Sequence, residues 1–140
     1  MKKINLFLDD IRFPWDVSHY VSNPELKKFY CETEFDIVRS YNEFRDYIID
    51  NGVPDLISFD HDLADEHYHP SMYSGPEVYN KNYDSFREKT GYDCAKFLIE
   101  YCMDHGVDLP HYLVHSMNPS GKLNIESILD NFSKFQNKVR

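Results

Sequence analysis

Leu56-Ile57-Ser58-Phe59-Asp60-His61-Asp62 is the stretch on which the reading of this chain turns, because a short apolar run ends abruptly in three titratable residues. Leu6-Phe7-Leu8-Asp9-Asp10 repeats the pattern near the start. Short apolar runs bounded by polar residues read as buried strands, and strands covered on both faces belong to parallel sheets. In an open α/β sheet, ligands bind beyond the carboxyl ends of the strands, so acids from two neighbouring ends converge on one crevice. Carboxylates crowded into one space repel unless a hard cation neutralises them, and oxygen-rich sites suit Mg²⁺ or Mn²⁺. A metal site that handles phosphate is the first expectation.

Outward from these runs the chain alternates. Lys3 to Leu8 reads as the first strand. Asn23-Pro24-Glu25 offers a cap, a proline at the first helical position and an early acid, which predicts a short helix over Glu25 to Cys31. Asp36 to Tyr41 reads as a second strand, followed by a helix from Glu43 to Ile49 that Asn42 caps and Gly52 ends. Leu56 to Phe59 is the third strand. Gly91-Tyr92-Asp93 opens a helix through Asp104, with Ala95, Leu98, Ile99 and Cys102 at helical spacing, and Gly106 stops it. His111 to Val114 is the fourth strand. A last helix is expected from Asn124 to Phe135, with Ile125, Ile128, Leu129 and Phe132 on one face. The residues between, from Ala64 to Thr90, show no period and are expected to form a lid or binding loop. Strand and helix alternating from Asp36 onward predict parallel βα units around a central sheet, in one domain spanning 1–140.

The composition narrows the partners. With 24 acidic residues against 15 basic ones the formal charge is −9. A long nucleic-acid duplex is therefore not an expected partner, whereas a nucleotide-sized or end-bound phosphate is, because a bound cation inverts the local sign of an acidic pocket. The 11 Tyr and 10 Phe provide a core and rings to border a pocket. Cys31, Cys94 and Cys102 have no close pairing and read as reduced thiols. No apolar run has membrane-spanning length and no secretory leader is evident, so a soluble cytoplasmic protein is expected, in a cell or a virus-infected cell.

Three predicted strand ends carry chemistry: Asp9-Asp10 with Arg12, then Asp60-His61-Asp62, then His115-Ser116 with Asn118. Together they offer carboxylates for a cation, two imidazoles able to move protons near neutral pH, and a guanidinium, hydroxyl and amide for phosphate oxygens. Each has a plainer explanation. Asp-Asp after a strand is often a turn or a cap, and a single histidine beside a core is often only hydrogen-bonded. Three titratable residues directly after an apolar strand are harder to explain by turn chemistry. His67 and His69 with His61 resemble zinc ligands but lack a clear fourth, so zinc is disfavoured. Ser116 has no Gly-x-Ser-x-Gly elbow. Ser120-Gly121-Lys122 lacks the leading glycine of a phosphate loop and reads as a turn into the last helix, whose amino end can still accept an anion.

Leu8-Asp9-Asp10-Ile11-Arg12, Phe59-Asp60-His61-Asp62-Leu63, Thr90-Gly91-Tyr92-Asp93 and Val114-His115-Ser116-Met117-Asn118-Pro119-Ser120-Gly121 resemble the cyclic-phosphate processing receiver domains. The resemblance covers nearly the whole chain and is loose over Phe13 to Glu34 and Ala64 to Lys89. It implies a flavodoxin-like α/β fold in three layers, with about four parallel strands in order 2-1-3-4. It also implies that Asp9 and Asp10 are the acidic pair of a receiver, Asp60 its third-strand aspartate and Ser116 its fourth-strand hydroxyl. The receiver lysine has no counterpart here, which counts against a conventional phosphoswitch at Asp60. His61, Asp62, His115 and Asn118 resemble the additional residues of the cyclic-phosphate branch.

The expectation from residues and resemblance together is a metal-dependent phosphoesterase acting on cyclic phosphates of ribose, at RNA ends or in small nucleotides. Asp9, Asp10 and Asp60 are assigned to one Mg²⁺ or Mn²⁺, His61, His115, Asp60 and Asp62 to catalysis, and Arg12, Ser116 and Asn118 to the substrate. The rival is a noncatalytic receiver-like module that captures a phosphorylated ligand or a protein partner.

Overall fold

The computed structural model describes residues 3–63 and 89–138. Four strands, β1 (Asn5–Leu8), β2 (Asp36–Val38), β3 (Leu56–Phe59) and β4 (His111–Val114), form one sheet in the order β2-β1-β3-β4. Every pairing is parallel, and Leu8, Val38, Phe59 and Val114 stand in register at the carboxyl edge. This is the expected receiver-like architecture. Among the described residues five helices flank the sheet: α1 (Pro14–Val17), α2 (Pro24–Glu32), α3 (Tyr41–Asn51), α4 (Gly91–His105) and α5 (Pro119–Lys138).

Side chains alternate along each strand, which divides the core in two. Leu6, Leu8, Ile57, Phe59 and Val114 face α3, α4 and α5, where Phe44, Ile48, Ala95, Leu98, Ile125 and Leu129 are buried against them. Phe7 faces the other way and packs with Val17 and Tyr30 from α1 and α2. Cys94 and Cys102 are buried in the larger core, and all three cysteines are free. No helix among the described residues is long and apolar enough to cross a membrane.

The helix ends follow local chemistry. Asn23 Oδ1 accepts from the amides of Glu25 and Leu26, at 2.8 and 3.1 Å, with Pro24 opening α2. Thr90 and Asp93 cap α4 reciprocally, and Gly106 closes it at φ 63°, a conformation that favours glycine. Several boundaries differ from the sequence reading. β2 ends at Val38 instead of Tyr41, and Ser40, not Asn42, caps α3 by accepting from the amide of Glu43. α5 begins at Pro119, five residues before the expected Asn124 (124 − 119 = 5), because Asn118 Oδ1 accepts from the amide of Gly121 at 3.0 Å and caps the helix. α1 was not anticipated. The proposed lid, with His67 and His69, falls mostly outside the described residues.

Candidate functional site

The parallel ladder continues one residue beyond each central strand. Asp9 N donates to Val38 O, Asp60 N to Leu8 O, and His115 N to Phe59 O, at 3.2, 2.9 and 2.9 Å. Each of these residues lies two positions after one that faces α1 and α2, namely Phe7, Ser58 and Leu113. Strand alternation therefore turns all three side chains to the same side, at adjacent positions. One ligand atom from each of Asp9, Asp60 and His115 falls within 4.8 Å of the others, and all three residues are buried. The expected meeting of three strand ends is thus present in the fold.

Asp9 is the most constrained of the group. Its Oδ1 accepts from the amides of Ile11 and Arg12, at 3.0 and 2.8 Å, and its Oδ2 faces His115 Nε2 at 3.0 Å and Arg12 Nη1 at 3.5 Å. Burial works to raise the Asp9 carboxyl, but the bonds from His115 and the two amides outweigh it and hold the group at about 2. Asp60 goes the other way. Burial, and then the negative charge of Asp9, push its carboxyl up to about 7, although the His61 amide bonds its Oδ1 at 2.9 Å. Burial likewise lowers the His115 imidazole, against the pull of Asp9. At neutral pH the pair is a carboxylate facing a neutral ring.

An open cavity of ≈ 510 Å³ lies over this group, lined by Asp10, Arg12, Asp60, Asp62, Ser116 and Asn118, with Ile11, Met117 and Pro119 at its border. Arg12 reaches toward it between Asp9 and the Met117 sulfur, its guanidinium 5.5 Å from the Tyr20 ring centroid. Ser116 Oγ accepts from the amide of Asn118. Asn118 is divided between capping α5 and a long contact, 3.4 Å, from its amide nitrogen to both oxygens of Asp62. The early start of α5 brings a helix amino end, with its positive dipole, to the cavity wall at Pro119.

Neither histidine is part of that wall. His61 bonds Asp62 Oδ1 through Nδ1 at 2.9 Å, and its ring covers Gly121, where a Cβ would come within 2.3 Å of His61 Cγ. His115 is stacked on Phe7 at 4.4 Å and its side chain is wholly buried. The structure brings His115 to Asp9 and Asp60 while enclosing it behind them, and it brings Asp62, not His61, to the cavity.

Several supporting residues escape a sequence reading. Arg39 Nη1 donates to the carbonyls of Asp9 and Arg12, at 3.2 and 2.6 Å, and braces the loop after β1. Tyr20 Oη donates to His115 O at 2.6 Å. Gly91 is pressed so closely on the Asp60 peptide that a Cβ would come within 1.7 Å of its carbonyl oxygen, and its amide donates to His61 O at 2.7 Å. Tyr30 and Ser58 form a buried pair beside His115. Of these, Ser58 left a signal as a hydroxyl inside an otherwise apolar strand, and Gly91 as part of the Thr90-Gly91-Tyr92-Asp93 motif, whose close approach to Asp60 the sequence does not reveal.

No curated protein and no solved structure is significantly similar to the chain. The family model for the cyclic-phosphate processing receiver domain does match it, over residues 4–131. That span takes in all four strands and every site residue named above. The chain belongs to the family of cyclic-phosphate processing receiver domains.

Proposed function

We propose that this domain is a metal-dependent phosphoesterase that opens cyclic phosphates on ribose, at RNA ends or in small nucleotides. The observation that carries the reading is the group of Asp9, Asp60 and His115 beneath a cavity bordered by Arg12, Ser116 and a helix amino end. Carboxylates below and anion-binding groups above form the donor set expected where a cation and a phosphate meet.

The residues fit Mg²⁺ or Mn²⁺. Asp60 is driven up to about 7 first by burial and then by the negative charge of Asp9, which is the strain a dication relieves. Asp9, Asp10 and Asp60 would hold it. Such a cation supplies Lewis-acid polarisation of a phosphoryl oxygen and a more acidic water. Arg12, Ser116 and the amino end of α5 hold the nonbridging oxygens, with Asn118 fixing that helix end. Asp62, held by His61 Nδ1, faces the cavity and moves protons to and from the reacting oxygens as one pair with His61.

A second reading is favoured by one observation: neither imidazole lines the cavity. A module that binds a phosphorylated ligand without turnover needs the cation and the anion-binding groups alone. Hydrolysis of nucleoside 2′,3′-cyclic phosphates with Mg²⁺ or Mn²⁺ separates the two. Metal-dependent turnover, lost in Asp60→Asn and reduced in His61→Ala, is the expected result. Metal-dependent binding of the same compounds with no product would establish the capture module instead.

A further inference from the structure

Behind Asp9, on the side away from the cavity, four polar groups form a continuous buried chain. Tyr30 Oη lies 2.6 Å from Ser58 Oγ, Ser58 Oγ 2.7 Å from His115 Nδ1, and His115 Nε2 3.0 Å from Asp9 Oδ2. Ser58 and the side chains of His115 and Asp9 are wholly buried, and Tyr30 is 2% exposed. Phe7 stacks on one face of the imidazole and Tyr30 meets it edge-on, so the ring has little freedom to turn.

The direction of donation follows from counting protons. Among the described residues Tyr30 Oη has no partner other than Ser58, and a buried phenol donates its one proton in preference to leaving it unpaired. Ser58 then accepts from Tyr30 and has a single proton of its own, which goes to His115 Nδ1. A nitrogen that accepts carries no hydrogen, so the ring hydrogen sits on Nε2 and points at the Asp9 carboxylate. The reversed chain fails at both ends: Tyr30 would hold a proton with no acceptor, and a bare Nε2 would face a bare carboxylate. Burial pushes the Tyr30 phenol up to about 12, which keeps that first proton in place.

We propose that Tyr30 and Ser58 are positioning residues, which fix His115 as its Nε2–H tautomer, commit that hydrogen to Asp9, and keep the imidazole out of the cation's ligand set. His115 then acts through Asp9, as an outer partner of an all-oxygen site, and not as a proton donor to substrate. The tautomer stands on the hydrogen bonds alone, whereas the exclusion from the ligand set rests on the cation site proposed above. The arrangement favours a hard cation over zinc, because among the described residues the one imidazole grouped with Asp9 and Asp60 is already spent.

The test is an imidazole ¹H–¹⁵N correlation spectrum of the full chain labelled at its seven histidines, with His115 assigned by its absence in His115→Asn. Expected in the metal-free protein is a hydrogen on Nε2 and an unprotonated Nδ1, both unchanged at saturating Mg²⁺. Ser58→Ala moves Nδ1 downfield toward a free lone pair, and Tyr30→Phe moves it less in the same direction. A merely structural role for these residues would leave that resonance where it is. Ser58→Ala also weakens Mg²⁺ binding by about tenfold, the usual cost of losing an outer partner. Should Ser58→Ala fail to fold, the native spectrum and Tyr30→Phe decide the matter. A hydrogen on Nδ1 in the metal-free native protein overturns the tautomer. Transfer of the hydrogen from Nε2 to Nδ1 on adding Mg²⁺ makes His115 a ligand and overturns its exclusion. Mg²⁺ that does not bind at all overturns the cation site while the tautomer stands.

Discussion

The two ends of the sheet differ more than their surfaces suggest. The larger cavity, ≈ 1010 Å³, lies at the amino end, where Asp55, His105, His111 and Tyr112 are among its lining residues. The smaller one, at the carboxyl end, has buried acids beneath it. At the amino end the polar groups serve the chain itself: Asp55 Oδ2 accepts from the amide of Ile4 at 2.7 Å, Asp55 O accepts from His111 N, and His105 Nδ1 lies 2.9 Å from Tyr101 O. At the carboxyl end the register that aligns Leu8, Phe59 and Val114 forces three polar side chains together one residue later. Strand direction therefore marks the candidate site, and cavity size does not.

The largest expected effect concerns Asp60. Its carboxyl is raised to about 7 from an ordinary 3.8, so between those values the folded protein binds a proton that the unfolded chain has released. Stability from this group is whole below about pH 4 and is lost as pH rises toward 7, a change of about 4 kcal/mol if burial is retained. Asp9 has the opposite sign: held at about 2, it costs stability as pH falls from 3.8. The metal-free protein is therefore expected to be most stable near pH 4. Asp60→Asn removes the decline above that pH, so thermal unfolding at pH 7.5 without metal should occur at a higher temperature in the variant. Mg²⁺ should raise the midpoint of the native protein and leave the variant unchanged. A native protein as stable at pH 7.5 as at pH 4 would mean that the carboxyl end carries no strain and would remove the contrast with the amino end.

How much of this was legible depends on what each residue's role required. The apolar runs before Asp9, Asp60 and His115 announced buried strands, and polar residues at their ends announced the crevice. The strand order was carried by resemblance to receivers. Asn23-Pro24 reads directly as a helix start, whereas Ser120-Gly121-Lys122 reads as a turn although it lies in the first turns of α5, because serine and glycine lower helix propensity. Gly121 is tolerated there because the His61 ring occupies the space its side chain would need, a contact between distant segments that no local pattern reveals. Tyr30 and Arg39 were invisible for the same reason, since each acts across the sheet on residues far away in sequence.

Two glycines sharpen the comparison at intermediate cost. Gly91→Ala places a Cβ against the Asp60 carbonyl, which is backbone and has no rotamer to change. We expect a loss of about 3 kcal/mol in denaturant unfolding, the upper part of the usual range for overpacking. Gly121→Ala meets the base of the His61 side chain instead, Cγ at 2.3 Å and Cβ at 2.7 Å, and turning the ring relieves only the first of these contacts. Its expected cost is about 2 kcal/mol, within the usual range for overpacking, but the His61 Nδ1 to Asp62 bond is broken, so turnover should fall further than stability does. Equal losses of turnover and stability would show that His61 only packs.

The smallest effect is expected at the amino end, and it is the most direct challenge to the argument from strand direction. Asp55→Asn keeps the shape of an acid that borders the larger cavity and removes its charge from the bond to Ile4. A hydrogen bond of that kind at an exposed site contributes about 1 kcal/mol, so the midpoint of unfolding should fall slightly. Mg²⁺ affinity, measured by calorimetry beside Asp60→Asn, should not change at all. A loss at Asp55 comparable to that at Asp60 would place a second cation at the amino end. The three register-matched residues would then be one acidic cluster among others, and the site would have to be sought by volume after all.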